Sequence, residues 1–176
     1  MYYHTEGPIG RYQLAEELKL GGGSVRSLVK FLRKQGLIQA VARQGHQLSK
    51  KGKQHLVKLH QVLINTGRIR QTSFTIDRIN FGCQLRNLAH LVRDGVRLRD
   101  AAMRAGASGA TTLIQGPDPE YIIMPTEYRV PRVEAAELLK GFDLIEGDVL
   151  IIGTGPTDIA ARLGAIAAMM TLLGGN

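Results

Sequence analysis

"GGGSVRSLVKFLRKQGLI", residues 21–38, sets three glycines in front of a short cationic helix. Glycine reaches the left-handed and extended angles that a tight turn needs. The three glycines therefore end the helix expected over "RYQLAEELKL" (residues 11–20), whose Leu14, Ala15 and Leu18 share one face. Ser24 suits the N-cap of the helix that follows, its hydroxyl accepting from the bare amides of the first turn. Apolar residues then fall at Val25, Leu28, Val29 and Leu32, the i, i+3, i+4, i+7 spacing of a packed helix, and Gly36 closes it as a C-cap. Residues 37–42 and 46–48 read as two short strands about a turn at "RQG". Ser49 caps a further helix to about Ile64, interrupted early by Gly52.

Helix, tight turn, basic helix, hairpin and helix is the order of a winged helix-turn-helix. With the four apolar positions buried, residues 24–35 become the recognition helix, carrying Ser24, Arg26, Ser27, Lys30, Arg33 and Lys34 on its free sides. Hydroxyl and guanidinium groups can read base edges in a major groove, and ammonium groups neutralise phosphates. Arg43 and Gln44 fall at the wing tip, and Lys50, Lys51 and Lys53 extend the cationic strip. The expected partner is double-stranded DNA. A winged helix usually opens with a full helix packed across the other two, and only "MYYHTE" is available for it. Either that helix is truncated, or another chain or the C-terminal half is expected to cover its place.

The charge distribution points the same way. Residues 1–70 hold 13 Lys+Arg against 3 Asp+Glu, whereas residues 71–176 hold 10 against 12. A basic first part joined to a near-neutral remainder suits a polyanion-binding module attached to something else. One cysteine, Cys83, excludes an intramolecular disulfide and fits a reducing cytoplasm. The N-terminal residues have no apolar run behind a basic start, so no signal peptide is expected. The longest nearly apolar run, "LGAIAAMMTLL" (residues 163–173), has 11 residues. A membrane-spanning helix needs about 20. The expectation is a cytoplasmic protein without a membrane partner.

The domains are drawn at 1–66 and 73–176, with "NTGRIRQT" (65–72) as linker. The second begins with a strand over 73–85, followed by a helix over 97–104 ended by Gly106. Strands at 110–114 and 121–124, a helix at 131–142, a strand at 147–153 and a closing helix over 157–173 complete it. The sequence of elements is that of a ferredoxin-like α/β sandwich with an extra C-terminal helix, giving an α+β protein overall. In the closing helix Ile159, Leu163, Ile166, Met170 and Leu173 are expected to pack on the sheet. Ala165, Ala167, Ala168, Met169 and Leu172 make the other side apolar too. A helix apolar all round is buried all round, so a homodimer is expected through this helix, which also suits two DNA half-sites.

Three phrases, "GPIGRYQLAEELKLGGGSVRSLVKFLRKQGLI", "RDAAMRAGASGATTLI" and "EGDVLIIGTGPTDIAARLGAIAA", resemble a family of archaeal proteins. Its members join an N-terminal winged helix to a C-terminal domain of unknown function. The resemblance implies a transcriptional regulator and supplies no ligand and no catalytic residues.

"GDVLIIGTGPTDIAARLG" places a glycine-rich turn between a strand and a helix, so Gly153, Thr154, Gly155 and Thr157 form a candidate anion site at a helix start. The phrase matches neither the dinucleotide fingerprint nor the Walker A pattern, and a plain strand-to-helix turn is the competing reading. Cys83 and His90 fall in different elements with no third group to complete a nucleophile–base pair. His4, His46, His55, His60 and His90 lack the i, i+4 spacing of a helical metal pair, and Glu134 and Glu137 simply suit a helix start. No catalytic residue, metal or cofactor is expected. Two functions follow: a homodimeric DNA-binding transcriptional regulator with a small-molecule effector left open, or an anion- or nucleotide-binding protein or enzyme built on the 153–157 loop.

Overall fold

The structure is a computed structural model that describes residues 7–117, 120–124, 126–131, 135 and 139–174. Two compact units divide between His60 and Gln61.

The first unit contains α1 (Arg11–Leu18), α2 (Gly22–Lys34), a hairpin of β1 (Ile38–Val41) and β2 (Gly45–Leu48), and α3 (Lys50–Val62), which runs past the division. The expected first helix falls on residues 1–6, outside the described residues. The inward row of α2 is as its spacing predicts: Val25 and Val29 are buried, Leu28 and Leu32 half-buried. Its N-terminus differs. The helix begins at Gly22 with Gly21 as N-cap, so Ser24 lies inside the first turn and caps nothing. The turn before it owes its left-handed residue to Lys19 (φ 52°) rather than to a glycine. That residue lets the Leu20 amide reach back to the Ala15 carbonyl at 3.0 Å, closing α1 by the six-to-one bond of a glycine-type cap. Gly36 (φ 69°) does the same for α2, with Leu37 N–H donating to Leu32 O at 3.0 Å.

Ser49 caps α3, its hydroxyl accepting from Gly52 N–H at 3.0 Å while donating to the Gly36 carbonyl. Gly52 does not interrupt this helix. A β-carbon there would collide with the Leu37 carbonyl, so glycine is what lets α3 lie against the end of α2.

The second unit is a six-stranded sheet: β3 (Leu63–Ile69), β4 (Ile79–Leu85), β5 (Gly109–Gln115), β6 (Glu120–Met124), β7 (Tyr128–Pro131) and β8 (Val149–Gly155). The order is β3-β4-β8-β5-β6-β7 and every neighbouring pair is antiparallel. Two strands were not anticipated. The supposed linker is β3, carrying a bulge between Leu63 and Asn65, and β7 extends the far edge. The anticipated strand over 73–85 is shorter, because 73–78 loops across the sheet and Phe74 packs into its core. A ferredoxin-like sandwich places its first and third strands in the middle. Here β8, last in the chain, sits between β4 and β5, so the unit is α+β with a different strand order.

Both faces of the central strands are covered, which is why β8 is buried throughout and β4 and β5 are buried at all but one residue each rather than alternating. On one face Leu113, Leu150 and Ile152 meet Ile69, Phe142 and Leu144. The helix expected over 131–142, with Glu134 and Glu137, lies largely outside the described residues, although Ala135 and Leu139 belong to this core. On the other face lie α4 (Val96–Arg104) and α5 (Asp158–Gly174), packed side by side. At the sheet's end the fully buried Asp148 accepts from Asn87 N–H (3.1 Å), Ile145 N–H (3.2 Å) and Gln84 Nε2 (3.1 Å), with Arg86 beside it.

The seating of α5 reverses the expectation. Ala161, Gly164, Ala165, Ala168, Met169 and Leu172 are its buried residues, while Ile159, Leu163, Ile166 and Met170 are 43–48% exposed. The reason is in β8. Gly153 and Gly155 leave a furrow in the sheet, and β-carbons there would strike the backbone of α5 at Ala161 and Ala165 and the side chain of Ala160. A helix axis so close to the strand admits only alanine and glycine between them, so the bulky row is turned outward.

Candidate nucleic-acid interface

In the first unit α2 and the hairpin enclose an open groove of about 620 Å³. Arg26, Lys30, Arg33 and Lys34 reach it from α2, at the i, i+4, i+7 and i+8 positions of one helix face. Arg11 reaches it from the start of α1, and Ala40 and His46, paired across the hairpin, form the opposite side with Val29 at the floor. Five cations thus face one concavity without a carboxylate among its lining residues. None of the five is in an ion pair among the described residues. An unneutralised cluster in a concave wall focuses positive potential outward, where an extended polyanion can meet it.

The hairpin is held in place from behind. Ile9 forms an isolated rung with His46, N–H to O at 2.8 Å and 2.9 Å in the two directions, which ties the segment before α1 to β2. Gly45 (φ 110°) allows the contact, because a β-carbon there would overlap the Ile9 carbonyl. His46 Nδ1 is buried without a partner, one polar atom left over at the groove's edge.

Of the residues singled out in the sequence, Arg26, Lys30, Arg33 and Lys34 are brought together here. Ser24 and Ser27 are exposed on α2 outside the groove lining. Arg43 and Gln44 stand at the hairpin tip, with Arg43 in the left-handed region at φ 61°. Lys50 is exposed at the start of α3, whereas Lys51 donates to the Gln35 carbonyl at 2.9 Å and so closes the end of α2. Arg11 and His46 were missed. Neither belongs to the periodic helix, and only the tertiary pairing of α1 and β2 with α2 brings them in.

The 153–157 stretch is occupied by the chain itself. Gly153, Thr154 and Gly155 are strand residues paired with β4 and β5. Thr154 Oγ1 accepts from Asp77 N–H at 2.8 Å, and Thr157 Oγ1 caps α5 by accepting from Ala160 N–H at 3.2 Å. Asp158 pairs with Arg162 and with Arg68 at 3.0 Å. Burial raises its pKa, but the two guanidiniums outweigh that and hold it below the usual carboxylate value. Cys83 is buried beside β8, and desolvation pushes its thiol up to about 12. Among the described residues no group of three His, Cys, Asp or Glu side chains is placed to hold a metal ion, and no helix is long and apolar enough to cross a membrane.

These features define a two-unit α+β protein with a cationic groove on its first unit and a covered antiparallel sheet in its second. The chain belongs to the family described as domain of unknown function DUF4443, whose model matches residues 76–172. Residues 2–54 match the model described as PH0730-like, N-terminal domain. Among solved structures it is similar to the hypothetical protein PH0730 from Pyrococcus horikoshii OT3, with 27% identity, 97% of this chain and 87% of that chain covered, and a TM-score of 0.62. That relative agrees with the archaeal resemblance in the sequence. No curated protein matches the chain.

Proposed function

We propose that the first unit is a winged helix-turn-helix that binds duplex DNA, and that the protein is a homodimeric transcriptional regulator. The observation that carries this reading is the groove between α2 and the hairpin, where, among the described residues, five cations have no ion-pair partner and no carboxylate lines the wall. The order of elements supports it, and the Ile9–His46 rung supplies the third strand position that a winged helix uses to brace its wing. In this reading α2 enters the major groove, Arg26, Lys30, Arg33 and Lys34 contact phosphates and base edges, and Arg43 and Gln44 touch the flanking backbone.

Five phosphate contacts per protomer, ten for the dimer, imply a log–log salt slope of about −9, so affinity falls on the order of 10⁵-fold between 50 and 200 mM salt. Selection of bound fragments from random duplex DNA at two salt concentrations tests the proposal. Wild type enriches a two-fold-symmetric motif, and an Arg26→Ala/Lys30→Ala variant, which lacks four contacts per dimer, loses it with a slope shallower by about 3.6. Binding indifferent to salt and to these substitutions refutes the reading.

The dimer rests on α5. Ile159, Leu163, Ile166, Met170 and Leu173 recur at alternating steps of four and three, the spacing of a coiled-coil seam. Four of them are exposed, and the helix's two charged side chains, Asp158 and Arg162, pair with each other. Nothing charged on this helix therefore opposes the approach of a second copy.

A further inference from the structure

A second cavity, in the sheet unit, has a different character. It is a half-open hollow of about 130 Å³ where the start of α4 meets the end of α5. Leu98 and Leu172, 4% and 5% exposed, give it an apolar wall. His90, Arg93 and Arg97 line it on the polar side, and none of the three is in an ion pair or side-chain hydrogen bond among the described residues. Asp94, the one carboxylate among the described lining residues, turns its Oδ1 to the helix start, accepting from Val96 N–H at 2.8 Å and Arg97 N–H at 3.1 Å and capping α4. Thr171 gives its proton to the Ala167 carbonyl at 2.9 Å and so offers the cavity an acceptor only.

We propose that this cavity binds a small organic monocarboxylate, the carboxylate held by Arg93 and Arg97 and the hydrocarbon end against Leu98 and Leu172. The chemistry selects that class. Two guanidiniums match carboxylate oxygens in a bidentate manner. The size suits it too, since a cavity of about 150 Å³ holds one benzene ring. An apolar wall facing a few convergent polar groups is the ordinary make-up of a ligand site. Inorganic phosphate would satisfy the arginines and leave the leucines unused. The site is remote in sequence from the cationic groove and does not depend on what that groove binds. If the protein is a regulator, this is where its effector enters.

The test uses the full chain without DNA, so it stands or falls separately from DNA binding. Calorimetric titration with benzoate and with isovalerate is compared with benzyl alcohol, which keeps the ring and lacks the charge. One carboxylate binds at one site per chain and raises the melting temperature, while benzyl alcohol does neither. Arg93→Gln and Arg97→Gln, both exposed side chains that leave the fold intact, each weaken that binding at least tenfold. The proposal is overturned if neither carboxylate binds, if benzyl alcohol binds as well as benzoate, or if both variants retain wild-type affinity.

Discussion

Replacing Gly153 by alanine tests how the sheet unit is held together. The new β-carbon stands 3.0 Å from Ala165 Cα and closer still to the Ala161 carbonyl oxygen and the Ala165 amide nitrogen. Carbon atoms in contact ordinarily lie about 3.5–4.0 Å apart, and these neighbours are helix backbone, which cannot rotate aside as a side chain can. Helix α5 must therefore retreat by about 1 Å along the contact. That loosens Ala161, Ala165 and Ala168, all fully buried. Overpacking of this kind costs about 3 kcal/mol, the upper end of its usual range. In a unit of this size that lowers the melting temperature by about 10 °C. Scanning calorimetry of the ligand-free protein reads the change, with Gly174→Ala as control because no atom lies within 4 Å of its β-carbon. A Gly153→Ala protein that melts within about 1 °C of wild type refutes the account. It would mean that α5 does not lie against the strand at Gly153.

Three further outcomes follow. Gly22→Ala and Gly23→Ala meet open space and no positive φ, so each raises stability by about 0.5 kcal/mol; a loss of stability in urea titration would show that α2 does not begin at Gly22. On the proposed dimer, Leu163→Glu puts a charge in the middle of the exposed α5 row, so sedimentation equilibrium is expected to find dimer for wild type and monomer for the variant. A monomeric wild type removes that interface. Cys83, 1% exposed with its thiol pushed up to about 12, stays unlabelled by a disulfide reagent at pH 8 in the native protein and reacts on addition of denaturant. Prompt labelling of native protein contradicts its burial beneath the helices.

The basic module was legible because its signals are local. The apolar spacing of Val25, Leu28, Val29 and Leu32 places one face of α2 inward whatever the rest of the chain does, and the cations on its free side follow from helix geometry. Gly36 and Ser49 were equally readable, since a left-handed cap and a hydroxyl cap act within one turn. Misreadings came where a residue serves a neighbour distant in sequence or where an ordinary side chain takes the angle expected of glycine. Gly52 looks like a helix breaker until Leu37 is seen to lie against it. Three glycines in a row look like the turn, whereas Lys19 adopts the left-handed angle and leaves them free.

In the second half the sequence determined that strands and helices would pack around a real core, because long apolar stretches have no other stable fate in water. It did not determine the order of the strands. Pairing β8 between β4 and β5 depends on contacts between segments more than 60 residues apart for β4, and no local pattern encodes them. The side of α5 that faces the sheet was likewise decided by tertiary structure. Hydrophobicity alone favours burying Ile159, Leu163, Ile166 and Met170, but the furrow at Gly153 and Gly155 admits a helix only by its smallest residues. Close packing outranked hydrophobicity there, leaving the larger side chains on the surface.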